Sequence, residues 1–190
     1  MEARMIQTQQ SIFPQIYSTM DTETLLQAFA AGHARFRQAL AGLSDSDLKL
    51  RPRQGKWSIK EITLHVVDSE VFAAARIRLV IAQPGSALPF YDQDICTAKL
   101  DHQNADHPAV EDALRLFESL RSTSTRFFRS AGEDDWQKTG VHYSFGIITL
   151  RQLLELYADH SERHIEQIVA MRKMIGKPID FPPILNVRLY

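Results

Sequence analysis

The chain has one cysteine, Cys96, among its 190 residues. That excludes an intramolecular disulfide and any zinc site built from several thiolates. No run approaches the ~18–20 consecutive apolar residues of a membrane span. The opening stretch MEARMIQTQQSIFPQIY has no basic segment followed by an apolar one of ~7–15 residues, so a secretory signal is not expected. An excess of either charge is also missing: 22 Lys and Arg face 23 Asp and Glu, for a net charge of −1. Nothing in that balance favours nucleic acid or an anionic membrane as a partner. Internal repeats and low-complexity tracts are absent, and no stretch alternates convincingly as a β-strand. What is present is an ordinary globular composition, 44% hydrophobic and 24% charged. The length fits one domain over residues 1–190, with the cytoplasm as the default location.

Four segments repeat apolar residues at helical spacing. The first runs from Thr22 to Leu40 behind Asp21 as N-cap, with Leu26, Phe29, His33, Phe36 and Leu40 on one stripe. The second opens at Ser58 with Glu61 three residues on, a capping box, and continues through Ile59, Ile62, Val66, Phe72 and Ile77 to Ile81 before Pro84-Gly85. The third begins near Pro108 and runs to Ala131, with Leu114, Phe117, Leu120, Ser124 and Phe127/Phe128 inward. The fourth opens with a second capping box, Thr149 and Gln152, and ends at Ile175 before Gly176 and Pro178.

The connections are uneven. Segment 85–107 is about twenty residues without clear periodicity, a length that is usually functional or carries short structure of its own. Short helical turns are expected at Asp45–Lys49 and Glu133–Gln137, and the apolar tail 177–190 is expected to pack on the surface. Four helices of about 20 residues, each ~30 Å long, predict an all-α fold, an antiparallel four-helix bundle with long inter-helix loops and a core over 22–176.

The histidines carry the functional signal. His160 and His164 stand at i and i+4, where two side chains share a helix face with Cβ atoms ~5–6 Å apart. That face also carries Leu153, Leu156, Tyr157, Ile168 and Met171, so both rings point inward, whereas Glu162, Arg163 and Glu166 point elsewhere. His65 lies on the Ile62 and Phe72 side of the second helix and also points inward. Buried imidazoles need partners, and apolar neighbours offer few. The three are either ligands of one cation or hydrogen-bonded core histidines. Ser161, Glu162 and Arg163 separate the pair, so the H-E-x-x-H metalloprotease pattern is ruled out.

KWSIKEITLHVVDSE (56–70), followed by LYADHSERHIEQI (156–168), resembles the DinB/YfiT-like superfamily of metal-dependent enzymes, and LPFYDQD (88–94) resembles the proline-tyrosine-aspartate loop of its YfiT-type branch. The likeness covers residues 22–176. It implies a four-helix bundle in which His65, His160 and His164 bind a divalent metal, zinc or nickel. It also implies a homodimer, and an activity that is either small-thiol S-transfer with a bacillithiol-type co-substrate or hydrolysis of a small ester or amide.

Three imidazoles leave a divalent ion open positions, the pattern of a catalytic site. Such an ion lowers the pKa of bound water or supports a thiolate, and the ligand set does not choose between the two. Glu61 and Asp68, flanking His65, are candidates for orienting an imidazole or acting as a base, although Glu61 also completes a cap and Asp68 fits a solvated position. Tyr91 and Asp92 on the long loop, and His33 on the first helix, are candidates for contacting a small-molecule substrate. Loop packing and a core histidine are their alternatives. Cys96 has no nearby motif that would place a base beside it. His142 reads as a surface residue, and Trp57 and Trp136 as packing residues. A non-catalytic four-helix binding domain is the remaining reading.

Overall fold

The computed structural model describes residues 17–185, so the opening stretch 1–16 and the end of the tail, 186–190, lie outside the described residues. Six α-helices follow in order: α1 Thr22–Leu40, α2 Asp45–Leu48, α3 Ile59–Ala82, α4 Gln93–Lys99, α5 His107–Ser130 and α6 Leu150–Met174. The four long ones form the four-helix bundle expected from the sequence, although not every neighbouring pair in it is antiparallel. Their starts are set by side chains that satisfy otherwise orphaned N–H groups. Asp21 Oδ1 accepts from the Thr24 amide at 2.8 Å, Asp106 caps α5, and the capping boxes at Ser58/Glu61 and Thr149/Gln152 both form. No helix among the described residues is long and apolar enough to cross a membrane.

The order around the bundle is less ordinary. The long helices pack α1 on α6, α6 on α3, α3 on α5 and α5 on α1, so consecutive long helices α1 and α3 sit across a diagonal. Residue pairs give the directions. Phe29 meets Phe128 and Phe36 meets Phe117, so α1 and α5 run antiparallel. Arg151 reaches Met20 and Arg172 reaches Ala39, so α1 and α6 run parallel. Helices α3 and α5 are also parallel, because Glu70 meets Arg121 and Arg78 meets Thr123. A parallel pair of neighbours needs a connection that returns the length of the bundle, which accounts for the long segment between α3 and α5.

That connection is structured. It contains α4 and a 3₁₀ turn at His102–Asn104, and a second such turn spans Glu133–Gln137. One element was absent from the sequence expectation: a β-hairpin, β1 Thr139–His142 paired antiparallel with β2 Gly146–Thr149. Ala87 bridges to Val141, fastening the long connection to the hairpin. His142, expected at the surface, is instead buried in β1. Its Nδ1 accepts from the Ser144 amide at 3.1 Å, its ring stacks on Phe145, and burial lowers its pKa to about 4.

The described part of the tail packs on the bundle. Leu185 is buried, and Arg35 donates to the Pro182 carbonyl at 2.9 Å. Glu162, on the far side of α6 from the histidines, is buried there: it pairs with Arg35 at 2.7 Å and accepts from the Ile184 amide.

Candidate metal centre

Helices α3 and α6 run antiparallel along one seam, and their caps fix the rotational phase of each. His65 comes from the second turn of α3, and His160 and His164 from successive turns of α6. The three rings meet: His160 Nε2 lies 3.1 Å from His65 Nε2 and 3.2 Å from His164 Nε2. One ligand atom from each lies within 4.8 Å of the others, and these three form a candidate ion-holding group among the described residues.

The protonation of this cluster follows from its surroundings. His65 and His164 are buried and His160 is half-buried. Burial, then the neighbouring charges of His164, His102 and Arg163, lowers His65 to about 2. Burial lowers His164 to about 4 against the opposing hydrogen bond from Gln167, and His160 also falls well below its ordinary value. All three are therefore neutral at pH 7, with one ring hydrogen each. Gln167 Oε1 accepts from His164 Nδ1 at 2.9 Å, so His164 Nε2 is a lone pair. One hydrogen cannot give each of the two Nε2 contacts its own donor. If His160 Nε2 carries it, that single hydrogen serves two acceptors. If it does not, two lone pairs face each other. A cation resolves the mismatch, and the spacing suits one: tetrahedral zinc at ~2.0–2.1 Å from each nitrogen sets ligands about 3.3 Å apart. The three histidines fit a divalent ion.

The cluster forms the floor of an open cleft of about 1120 Å³. Its walls come from 52–57 before α3, from 90–94 in the long connection, from the hairpin turn at 143–145, and from α6. Of the other residues singled out in the sequence, Tyr91 and Asp92 line this cleft. The Tyr91 hydroxyl sits 3.1 Å from His65 Nδ1 and its ring stacks on His65 and on Phe72. Burial and nearby Asp68 push its pKa up, so it stays a phenol. Asp92 caps α4 through the Ile95 amide.

Glu61 is committed elsewhere: one oxygen accepts from the Ser58 amide and the other from Arg51. Asp68 is not simply solvated, because it faces the buried His102 at 3.1 Å. His33 is outside the residues that line the cleft, and its Nδ1 donates to the Ala30 carbonyl. Trp57, read from sequence as packing, also takes part in the site: its ring lies 4.8 Å from that of His65 and lines the cleft. Sequence reasoning missed Gln167, whose signal was its position one turn after His164. Arg163, expected from sequence to point away from the histidines, lines the cleft, and the aromatic pair Phe90 and Tyr143 at the mouth was also missed. Cys96 is half-buried in α4 and does not line the cleft.

With this geometry in place, similarity to known proteins becomes informative. The DinB superfamily model matches residues 28–168, and the chain belongs to that superfamily. It is similar to "Putative metal-dependent hydrolase YfiT" of Bacillus subtilis (strain 168), at 27% identity over 144 residues, 75% of this chain and 79% of the relative. A relative from Geobacillus kaustophilus with the same designation is 24% identical over 165 residues, covering 86% of this chain and 90% of its own. The solved structure of Bacillus subtilis YfiT, described as having an unusual four-helix bundle topology, aligns with a TM-score of 0.75 at 26% identity, over 81% of this chain and 87% of that one. Mycothiol-dependent maleylpyruvate isomerase shares the fold, with a TM-score of 0.65 at 12% identity over 80% of this chain and 62% of its own.

Proposed function

We propose that the protein is a metal-dependent enzyme in which His65, His160 and His164 hold one divalent ion, zinc or nickel, and which transfers a small thiol to an electrophilic substrate. The observation that carries the metal reading is the convergence of three neutral imidazoles on one point at the floor of an open cleft. Imidazole donors suit zinc and nickel, and a bound ion would supply Lewis acidity that lowers the pKa of a thiol or a water reaching it.

Two features favour the thiol. Glu61 is held by the Ser58 amide and Arg51, and neither Glu61 nor Asp68 lines the cleft, so neither is placed to take a proton from a water there. A thiol, with an ordinary pKa of ~8.5, needs far less help to ionise than water at ~15.7. The cleft, at about 1120 Å³, also exceeds the ~300–1000 Å³ of a pocket for one drug-sized molecule, leaving room for two reactants. Phe90 and Tyr143 offer an apolar wall to the electrophile. The second reading, hydrolysis of a small ester or amide, is favoured by the names of the relatives.

Tag-free protein should carry about one metal ion per chain, and added zinc should raise its melting temperature by mass action, an effect worth ~2.7 kcal/mol at 100 times Kd. His160→Ala should abolish both. Wild type that carries no stoichiometric ion and binds none on titration defeats the proposal. Bacillithiol, mycothiol or glutathione should each be offered with an electrophilic chloroaromatic. Turnover that is unchanged when the thiol is omitted counts against the transferase, and metal-dependent cleavage of a small chromogenic ester or amide without any thiol decides for the hydrolase.

A further inference from the structure

We propose that Tyr91 and Gln167 are positioning residues that hold His65 and His164 as Nδ1–H tautomers, aiming both Nε2 lone pairs at the point shared with His160; this inference rests on the metal reading above. Gln167 stands at i+3 from His164, on the same face of α6, and its amide oxygen, an acceptor only, lies 2.9 Å from Nδ1. On α3 the corresponding role falls to a residue from a distant loop, the Tyr91 hydroxyl 3.1 Å from His65 Nδ1.

That loop is fastened on both sides of Tyr91. Upstream, Arg76 forks onto the Pro89 carbonyl, with Nε at 3.1 Å and Nη2 at 2.7 Å, and its Nη1 donates to the Tyr157 hydroxyl at 2.6 Å. The Leu88 amide donates to the Val141 carbonyl at 2.9 Å, and the Val141 amide to the Ser86 carbonyl. Downstream, Asp92 caps α4. Phe72 stacks on the Tyr91 ring at 4.7 Å. Such anchoring keeps the hydroxyl at Nδ1; a hydroxyl can donate or accept, and of the two arrangements only the one in which it accepts from Nδ1–H leaves the His65 Nε2 lone pair facing the shared point. A neutral imidazole left without such a partner divides its hydrogen between both nitrogens, turns more freely, and loses the basicity that a partner on Nδ1–H lends to Nε2. Partners on the far nitrogen of a ligating imidazole change metal affinity by ~10–100-fold.

The test begins with metal-free protein. Nitrogen-15 NMR of the histidine rings should show His65 and His164 as Nδ1–H tautomers in the wild type. Gln167→Leu should shift only His164 toward a mixture, and Tyr91→Phe, which keeps the stacked ring, only His65. Zinc competition against a chromophoric chelator should then read ~10–100-fold weaker binding for each variant, with Gln167→Glu, which keeps the acceptor, close to wild type. Unchanged melting temperatures of the metal-free variants separate this from damage to the fold. Wild-type rings found with the hydrogen on Nε2 overturn the inference. So do Tyr91→Phe and Gln167→Leu proteins that bind zinc within twofold of a stoichiometric wild type. If wild type binds no zinc, the metal reading falls, and the tautomers of the metal-free protein still decide whether the two residues position the rings.

Discussion

Two polar clusters lie inside the same bundle, less than two turns apart, and they settle the cost of burying polar groups in opposite ways. One is centred on Arg121 of α5, which is fully buried. Its guanidinium lies 2.8 Å from Glu70, donates to the carbonyls of Phe29 and Tyr157, and is sandwiched between the rings of Phe29 and Phe117. It joins the two hydrophobic clusters of the core, one around Phe29, Phe128 and Leu153, the other around Phe36, Phe117 and Ile165. The other cluster is the three histidines, on α3 and α6, the helices that also supply Glu70 and Tyr157 to the first. There, neutrality replaces charge pairing, and the lone pairs are left to each other and to whatever enters the cleft. The charges of the first cluster are answered from within, although Glu70 Oε1 has no hydrogen-bond partner among the described residues; the histidines are answered only in part.

The sharpest way to break this contrast is to leave the sealed cluster half paired. Glu70→Leu strands a guanidinium in the core and should cost about 3–5 kcal/mol, whereas the double variant Glu70→Leu/Arg121→Met should recover most of that loss. Urea denaturation measures both. A double variant as unstable as the single one would mean that the charge pair does more than balance itself.

The open cluster should respond to pH instead. Folded His164 titrates at about 4 against an ordinary 6.5, so between those values the unfolded chain binds more protons than the folded one. Stability of the metal-free protein should be complete above about pH 6.5 and fall as the pH drops, flattening below about 4 as far as His164 is concerned. The loss is about 3 kcal/mol at full extent. Denaturation midpoints of chelator-treated protein from pH 7.5 to 4.5 should show this slope, reduced in His164→Gln. An identical slope in that variant would remove His164 as its source.

These two clusters were unequally legible in the sequence. His65, His160 and His164 could be brought together on paper because Ser58/Glu61 and Thr149/Gln152 fixed where their helices begin, and spacing then fixed the face. Arg121 was passed over because periodicity counts arginine as polar. Yet it sits four residues after Phe117 and seven before Phe128, on the apolar stripe itself, a signal that could have been used. The hairpin was invisible for a different reason: its strands have four residues each, too short for alternation to register. Gly140 within it is required by tertiary packing, since a Cβ there would lie 2.7 Å from Leu88. Asp68's partner, His102, comes from a loop whose path no local pattern encodes.

The smallest effect offers the finest discrimination. Gly32 lies in the middle of α1, where alanine would ordinarily gain ~1 kcal/mol in helix propensity. Here a Cβ would stand 2.8 Å from Arg121 Nη1 and 2.8 Å from Ser161 Oγ. The end of an arginine normally yields to such a contact, but this one is committed to Glu70, Phe29 and Tyr157. Overpacking of ~1–3 kcal/mol should therefore outweigh the propensity gain, and Gly32→Ala should destabilise the wild type by about 1 kcal/mol. In the Glu70→Leu/Arg121→Met background the neighbour is a flexible, uncharged thioether side chain with no bonds to keep. The same substitution should then become neutral or stabilising. A change of sign between the two backgrounds, read as a double-mutant cycle by urea denaturation, would locate the rigidity in the ion pair. A penalty of equal size in both would place it in the packing of α1 against Ser161 of α6.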